Sequence, residues 1–396
     1  VLGGAHGSLA VARSLGRQGI PVWFVTAERL IPRFSRYVRR TLSWPGAEAP
    51  NAFDALMQLG HQHRLHGWVL FPGGDSEARL VSQRHDDLST FYRVVTPAWE
   101  VMRWAADKRM THERAASLGI DLPWSHYPKG RQDLESLQCR FPLILKPTVH
   151  KARNAFTQAK AWRVDNRESL LARYDQAASM VGDDGMVLQE LIPGNGTAQF
   201  SYAALWDHGM PVASLVARRS RQYPIDFGYT STFVETIENP DVEDAAARFL
   251  GSLNYSGLVE VEFKYDARDD RYKILDVNAR TWTWIGLGAA ADVDFPHLQW
   301  RVACGERLER MHGRPGVAWM HSSRDFVAAC QEMKAGTLSP AGYLKSLHGP
   351  MEFAAFASDD PLPGFLDLPL VASNIVTHRL PVMARDALDW RTRRAP

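Results

Sequence analysis

Gly257–Arg280, GLVEVEFKYDARDDRYKILDVNAR, is two runs of alternating side-chain character joined by a polar loop. Period-two alternation marks strands with unlike faces, and the loop Asp266–Arg271 makes the pair a hairpin. On the first strand Glu260, Glu262 and Lys264 share one face, while Val259, Val261 and Phe263 share the other. On the return strand Asp276, Asn278 and Arg280 lie on one face, with Val277 and Ala279 behind. A loop centred on Asp269 sets Glu262 opposite Asp276, so two carboxylates and an amide oxygen converge within cross-strand reach. Facing acids repel unless a hard cation lies between them, and an oxygen-only set with few carboxylates suits Mg²⁺ shared with substrate phosphates. The same spacing also fits an exposed hairpin with solvated acids.

Outward from the hairpin, the two signs of charge are segregated. The 396 residues carry 46 Lys and Arg against 44 Asp and Glu, a net +2, which argues against a general nucleic-acid binder. Yet residues 136–164 hold six cations (Arg140, Lys146, Lys151, Arg153, Lys160, Arg163) and no acid. Arg218, Arg219 and Arg221 form a second acid-free group, whereas residues 235–276 hold eleven acids against five cations. A polyphosphate with its metal needs this division. A solvated basic loop would account for part of the first run.

The wider chain divides by pattern. Strands alternate with helices over residues 1–105, as in a doubly wound α/β unit. From Asp107, the expected N-cap of a helix, strands predominate and the architecture becomes α+β. Strands are expected at 141–146, 186–191, 199–205 and 212–217. Hydrophobic residues at 45% and charged residues at 23% exclude disorder as the main description. Three scattered cysteines (Cys139, Cys304, Cys330) without CxxC spacing argue against a disulfide scaffold and fit a reducing compartment. No apolar run approaches the roughly 20 residues that cross a bilayer. The chain opens at Val1, directly in a strand, so residues are expected to precede it; a cytoplasmic location without membrane association is expected.

Several segments together, in order, resemble the ATP-grasp superfamily, in its carboxylate–amine ligase branch. Asp107-Lys108 resembles the lysine that opens the ATP-grasp domain. The strand 141–147, FPLILKP, resembles the one whose lysine, here Lys146, reaches nucleotide phosphates. The segment 187–194, VLQELIPG, resembles the interlobe stretch whose backbone and Glu190 meet adenine. VEF at 261–263 and LDVNAR at 275–280 resemble the paired metal strands. The resemblance covers roughly residues 1–305. It implies a Rossmann-like domain (1–105), then a two-lobed ATP-grasp domain (106–305, with a lid lobe 106–185 and a metal-binding lobe 186–305). Residues 306–396 remain a C-terminal extension without an interpretable motif.

The resemblance further implies an enzyme that joins a small-molecule carboxylate to an amine through an acyl phosphate, using ATP and two Mg²⁺, with Mn²⁺ as a substitute. Glu262, Asp276 and Asn278 would hold metal. Lys108, Lys146, Lys160, Gln189, Glu190, Leu191 and Gln199 would meet the nucleotide, and Arg280, with Arg218 or Arg221, the acyl phosphate. A homodimer fits this reading. The sequence departs from the family in three places. Asp276 stands where Glu is usual, Ala279 replaces a common Pro, and residues 148–159 lack the glycines of the usual phosphate flap. Lys151, Arg153 or Lys160 would then cover the phosphates with side chains. Gln199 is the substitute for a missing ribose acid.

Two other functions fit parts of the sequence. A phosphotransferase or non-ligase nucleotide-binding protein would keep the same ATP site. A dinucleotide-dependent oxidoreductase would use Gly3-Gly4-Ala5-His6-Gly7 with Glu28, although this run does not match GxGxxG. His61 and His63 cannot share a helix face, which with His66 argues against a metal site there. Trp282 and Trp284 suit either an acceptor pocket or core packing. Asp75–Glu77 suits either a substrate amine or the start of a helix capped by Ser76.

Overall fold

The computed structural model describes residues 1–374 except 29–30, 149–153, 160, 195 and 226–229. In the N-terminal unit, β1 (Val22–Thr26) and β2 (Val38–Ser43) pair in parallel. Leu2 bridges Val25 and Pro72 in parallel, and Val69 bridges Arg93. The strand–helix alternation expected over 1–105 is thus carried at residues 2, 69 and 93 by single bridges; Pro72 has no N–H with which to extend the ladder. Leu2, Val25, Leu56, Leu70 and Val81 form the core beneath them. Gly3 and Gly4 have φ of +57° and +75°. A Cβ at Gly4 would lie 2.6 Å from the Gly73 carbonyl oxygen. Close packing of two turns explains these glycines without a bound dinucleotide.

A four-stranded sheet follows, in the order β3 (Ser125–His126), β6 (Met186–Glu190), β4 (Leu143–Pro147), β5 (Trp162–Val164). Leu143, Leu145 and Leu188 cover the helix Arg167–Val181, burying Leu170 and Tyr174. The larger sheet comprises β7 (Gln199–Asp207), β8 (Met210–Tyr223), β9 (Thr230–Ile237), β10 (Gly257–Asp266), β11 (Arg271–Asn278), β12 (Met311–His312), β13 (Ala318–Met320) and β14 (Met351–Phe353). Its order is β11-β10-β7-β8-β9-β13-β14, with β12 on β8.

The two faces of this sheet differ. Tyr202, Val259, Val261, Phe263 and Ile274 bury one face against Phe249 and Leu250 of the helix Pro240–Gly251. On the other face Leu205, Leu215 and Leu258 pack on Trp282, Trp284 and Phe295. Two residues along each strand, that second face turns polar at Glu260, Glu262, Ser201 and Gln199. The candidate site begins at that change.

Residues beyond 305 are built into the sheet, not appended to it. Trp319 pairs with Val234, and Ala318 to Met320 run parallel to Met351 to Phe353. Patterning missed these strands because each has three residues, too few to display a period. Further on, buried Asp360 accepts from Arg13 Nε at 3.0 Å and from Ser35 Oγ at 2.7 Å, tying the segment to the first helix. No helix among the described residues is long and apolar enough to cross a membrane.

Candidate active site

The hairpin register sets the site. Glu262 pairs with Asp276 and Glu260 with Asn278, while on the other side Glu262 faces Ser201 and Lys264 faces Gln199. A bulge after Glu262 then pairs Phe263 with Ile274 and Lys264 with Lys273. The extra residue turns Ile274 into the core and Lys273 onto the site face. Without it, Ile274 would occupy the polar face.

A chain of charge runs across this face. Asn278 Nδ2 donates to Glu262 Oε1 at 3.0 Å and to Glu260 Oε2 at 3.3 Å. Asn278 Oδ1 accepts from Arg280 Nη2 at 3.2 Å, and Arg280 Nε donates to Asp75 Oδ1 at 2.5 Å. Arg219 stands 3.4 Å from Glu262 Oε2 and donates to Gln199 Oε1 at 2.8 Å. Lys108 Nζ meets Asp276 Oδ2 at 2.5 Å. Asp107 accepts from the backbone N–H groups of Arg109 and Met110, so it caps the helix that aims Lys108 at the sheet.

Glu260 is 4% exposed. Its Oε1 accepts from Ser201 Oγ at 2.9 Å and Trp284 Nε1 at 3.1 Å. Burial, with the nearby Glu262 charge, pushes this carboxyl up to about 7. Three carboxyl groups share this face, and burial favours the protonated form of Glu260. Trp282 and Trp284 are core residues, 1% and 3% exposed, and Trp284 also holds Glu260. Glu262, Asp276 and Asn278 are hard oxygen donors clustered on one face, balanced here by Lys108 and Arg219. Such a set fits Mg²⁺.

The smaller sheet faces the site with Lys146, whose Nζ donates to Gln189 Oε1 at 2.7 Å; Gln189 Nε2 donates in turn to Ser125 Oγ. Burial, reinforced by the Lys108 charge, lowers Lys146 to about 8. His112, one helical turn past Lys108, is lowered to about 4 by burial and both lysines. Glu190 lies where the two sheets meet. Its Oε1 accepts from Lys273 Nζ at 2.9 Å and Trp124 N at 3.0 Å, and its Oε2 from Arg268 Nη2 at 2.8 Å. The carboxylate expected at the nucleotide is thus held by protein donors, and Leu191 N faces the Pro142 carbonyl at 3.4 Å.

Among the residues singled out from sequence, Glu262, Asp276, Asn278, Arg280, Lys108 and Gln199 converge on one face, with Lys146 and Gln189 opposite. Two arginines do not join them. Arg221 Nε and Nη2 donate to Asp325 at 2.9 Å each, its guanidinium lies 4.0 Å from the Phe233 ring centroid, and the residue is 3% exposed. Arg218 pairs with Phe200 across the strands and contacts Glu235 at 3.5 Å. Two local features place them away from the acids. Strand alternation puts Arg219, not Arg218, on the Glu262 face, and an irregular register between Arg219 and Arg221 turns Arg221 away. Lys160, with Lys151 and Arg153, lies outside the described residues. Glu260, Arg219 and Lys273 were missed, and Asp75, read as suiting a substrate amine or a helix start, instead holds Arg280. Alternation alone points to Glu260, which shares the Glu262 face; the other three depend on register, a bulge and the approach of a separate unit.

No family model matches the chain. It is 24% identical to a D-aspartate ligase of Enterococcus faecium over 279 residues, 64% of this chain and 64% of that protein, so the chain spans under two thirds of that relative. Among solved structures, an L-amino acid ligase of Bacillus licheniformis superposes with a TM-score of 0.58 at 18% identity, covering 78% of this chain and 74% of the other. The biotin carboxylase domain of Hydrogenobacter thermophilus 2-oxoglutarate carboxylase, a dimer with MgADP, ADP and bicarbonate, gives 0.60 at 16%, covering 80% and 72%.

Proposed function

We propose that this chain, which has the fold of ATP-grasp carboxylate–amine ligases, is itself an ATP-dependent ligase forming an amide through an acyl phosphate. The observation that carries the reading is the pairing of Glu262 with Asp276, beside Asn278 and Lys108, on the polar half of a sheet face. A substrate carboxylate oxygen attacks the γ-phosphorus of ATP, the bond to the β-phosphate oxygen breaks, and ADP leaves. The amine nitrogen then attacks the acyl carbon, the C–O bond breaks, phosphate departs, and the amine's proton passes to water or a base.

Two anions must meet in the first step, so electrostatic neutralisation is the protein's main task. Lys108 and Lys146 suit the phosphates. Glu262, Asp276 and Asn278 would hold Mg²⁺, which neutralises phosphate charge when bound. Binding would displace the Lys108 ammonium from Asp276 toward the phosphates. Arg280, oriented by Asp75, is assigned to the acyl phosphate, with Arg219 in the role first given to Arg218 or Arg221. Closure of the lobe 106–185 would exclude water, to which an acyl phosphate is vulnerable. Adenine recognition falls to the backbone near Glu190.

We read residues 1–105 as Rossmann-like, the location as cytoplasmic and the assembly as a homodimer. Sizing chromatography tests the last. The activity is tested by supplying Mg·ATP with a panel of amino acids and dipeptides, and identifying products by mass. ADP and phosphate should appear only when carboxylate and amine are both present. Release with a carboxylate alone, or ATP binding without turnover on any pair, would favour the phosphotransferase or regulator.

A further inference from the structure

Away from the cleft, three segments far apart in sequence bring together a second polar cluster. His6 opens the first helix, His321 follows β13, and Asp367 lies in the helix Leu362–Asn374. They are 8%, 0% and 6% exposed. His6 Nε2 lies 2.9 Å from Asp367 Oδ1, and His321 Nδ1 lies 3.8 Å from Asp367 Oδ2. One ligand-type atom from each residue falls within 4.8 Å of the other two. Ser323 Oγ stands 3.0 Å from Asp367 Oδ2 and 3.2 Å from His321 Nδ1.

Hydrogen bonding alone accounts for only part of this arrangement. The two imidazole centroids are 4.4 Å apart, yet one carboxylate serves both rings. His321 Nε2 is buried with no partner among the described residues. Tetrahedral zinc, with bonds of about 2.0–2.2 Å, places its donors about 3.3 Å apart. His6 lies 2.9 Å from Asp367 Oδ1 and His321 3.8 Å from Oδ2, with all three ligand-type atoms within 4.8 Å, so rotation of the carboxylate and the two rings would be needed to draw one donor from each residue in to that spacing.

We propose that His6, His321 and Asp367 form a zinc site, with Ser323 or a water in the fourth position. Two imidazoles and one carboxylate select a borderline transition metal over Mg²⁺. The ligand set is separate from the acids on the β10–β11 hairpin. Its consequence is mechanical. It joins the turn after Gly3-Gly4, the β13 end of the large sheet and the helix Leu362–Asn374, alongside the buried Arg13–Asp360 pair.

The test uses the whole chain, stripped with chelator, loaded with ZnCl₂, desalted and assayed by elemental analysis. About one equivalent of zinc should remain in the wild type, and in Asp276→Asn, because the hairpin acids are not its ligands. His6→Asn and Asp367→Asn should retain less than about a tenth of that and lose any zinc-dependent rise in melting temperature. A wild type holding under about a tenth of an equivalent overturns the site. So does equal retention by the ligand variants, or loss in Asp276→Asn. Should the ligand variants fail to fold, wild-type chain loaded with CoCl₂ decides. An intense tetrahedral absorption displaced by zinc supports the site, and its absence refutes it, since the oxygen donors of the hairpin would give only a weak octahedral signal.

Discussion

Lys108 and Asp276, 168 positions apart, meet at 2.5 Å where the helix Lys108–Ser117 approaches the metal-type face of the large sheet. The pair neutralises a carboxylate whose partner across the strands, Glu262, is also acidic. Replacing Asp276 by Asn keeps the shape and removes the charge that both Lys108 and a cation use. Asp276→Asn should lower Mg·ATP-dependent ADP release by on the order of a hundredfold or more. Full turnover in that variant would dismiss the hairpin as the metal site.

Glu260 gives a pH signature. Its carboxyl is raised from 4.5 to about 7, chiefly by burial. Between those values the folded protein holds more of this proton than the unfolded chain does, so stability falls as pH rises. The contribution is complete below about 4.5 and is lost as pH passes about 7. Glu260→Gln keeps an acceptor for Ser201 and Trp284 and cannot ionise. Melting curves of the metal-free protein between pH 5 and pH 8 should therefore decline less in the variant, by on the order of 2 kcal/mol. Parallel curves would refute the shift.

Arg219 and Arg221 are two residues apart and should fail differently. Arg221→Ala leaves Asp325 buried without its ion partner and should cost about 3–5 kcal/mol in a denaturant titration. Arg219, 11% exposed at its side chain and 3.4 Å from Glu262, lies over the site. Arg219→Ala should cost less stability than Arg221→Ala yet reduce kcat at least about tenfold. The reverse pattern would return Arg221 to the active site.

Lys146 is held near 8 by burial. It binds phosphate best while charged, so kcat/KM for ATP should fall as pH rises above about 8. Lys146→Arg stays protonated throughout and should lose this limb, whatever its absolute rate. An unchanged alkaline limb in the variant would place the titrating group elsewhere.

The hairpin was legible because its chemistry is local. Alternation assigns Glu260 and Glu262 to one face, a short loop sets the strands antiparallel, and the loop length places Glu262 opposite Asp276. The helix at Lys108 was legible for a similar reason, since the Asp107 cap lies one residue before it. Short strands were not. Ala318–Met320 becomes a strand because β9 offers an edge to pair with, and Met351–Phe353 because Ala318–Met320 then offers the next; three residues carry no period of their own.

Sequence alone thus determined the hairpin, its two-faced chemistry, the capped helix and the separation of cations from acids, all of which follow from neighbours a few residues apart. Tertiary structure decided which basic residues share the acids' face. One register irregularity after Arg219 turns Arg221 toward Asp325, and one bulge after Glu262 brings Lys273 to Glu190. It also decided that Asp75 should hold Arg280, 205 positions away, and that His6, His321 and Asp367 should meet. Side-chain direction reverses with each residue of register, and register is set by pairing with distant chain, so no local pattern specifies it.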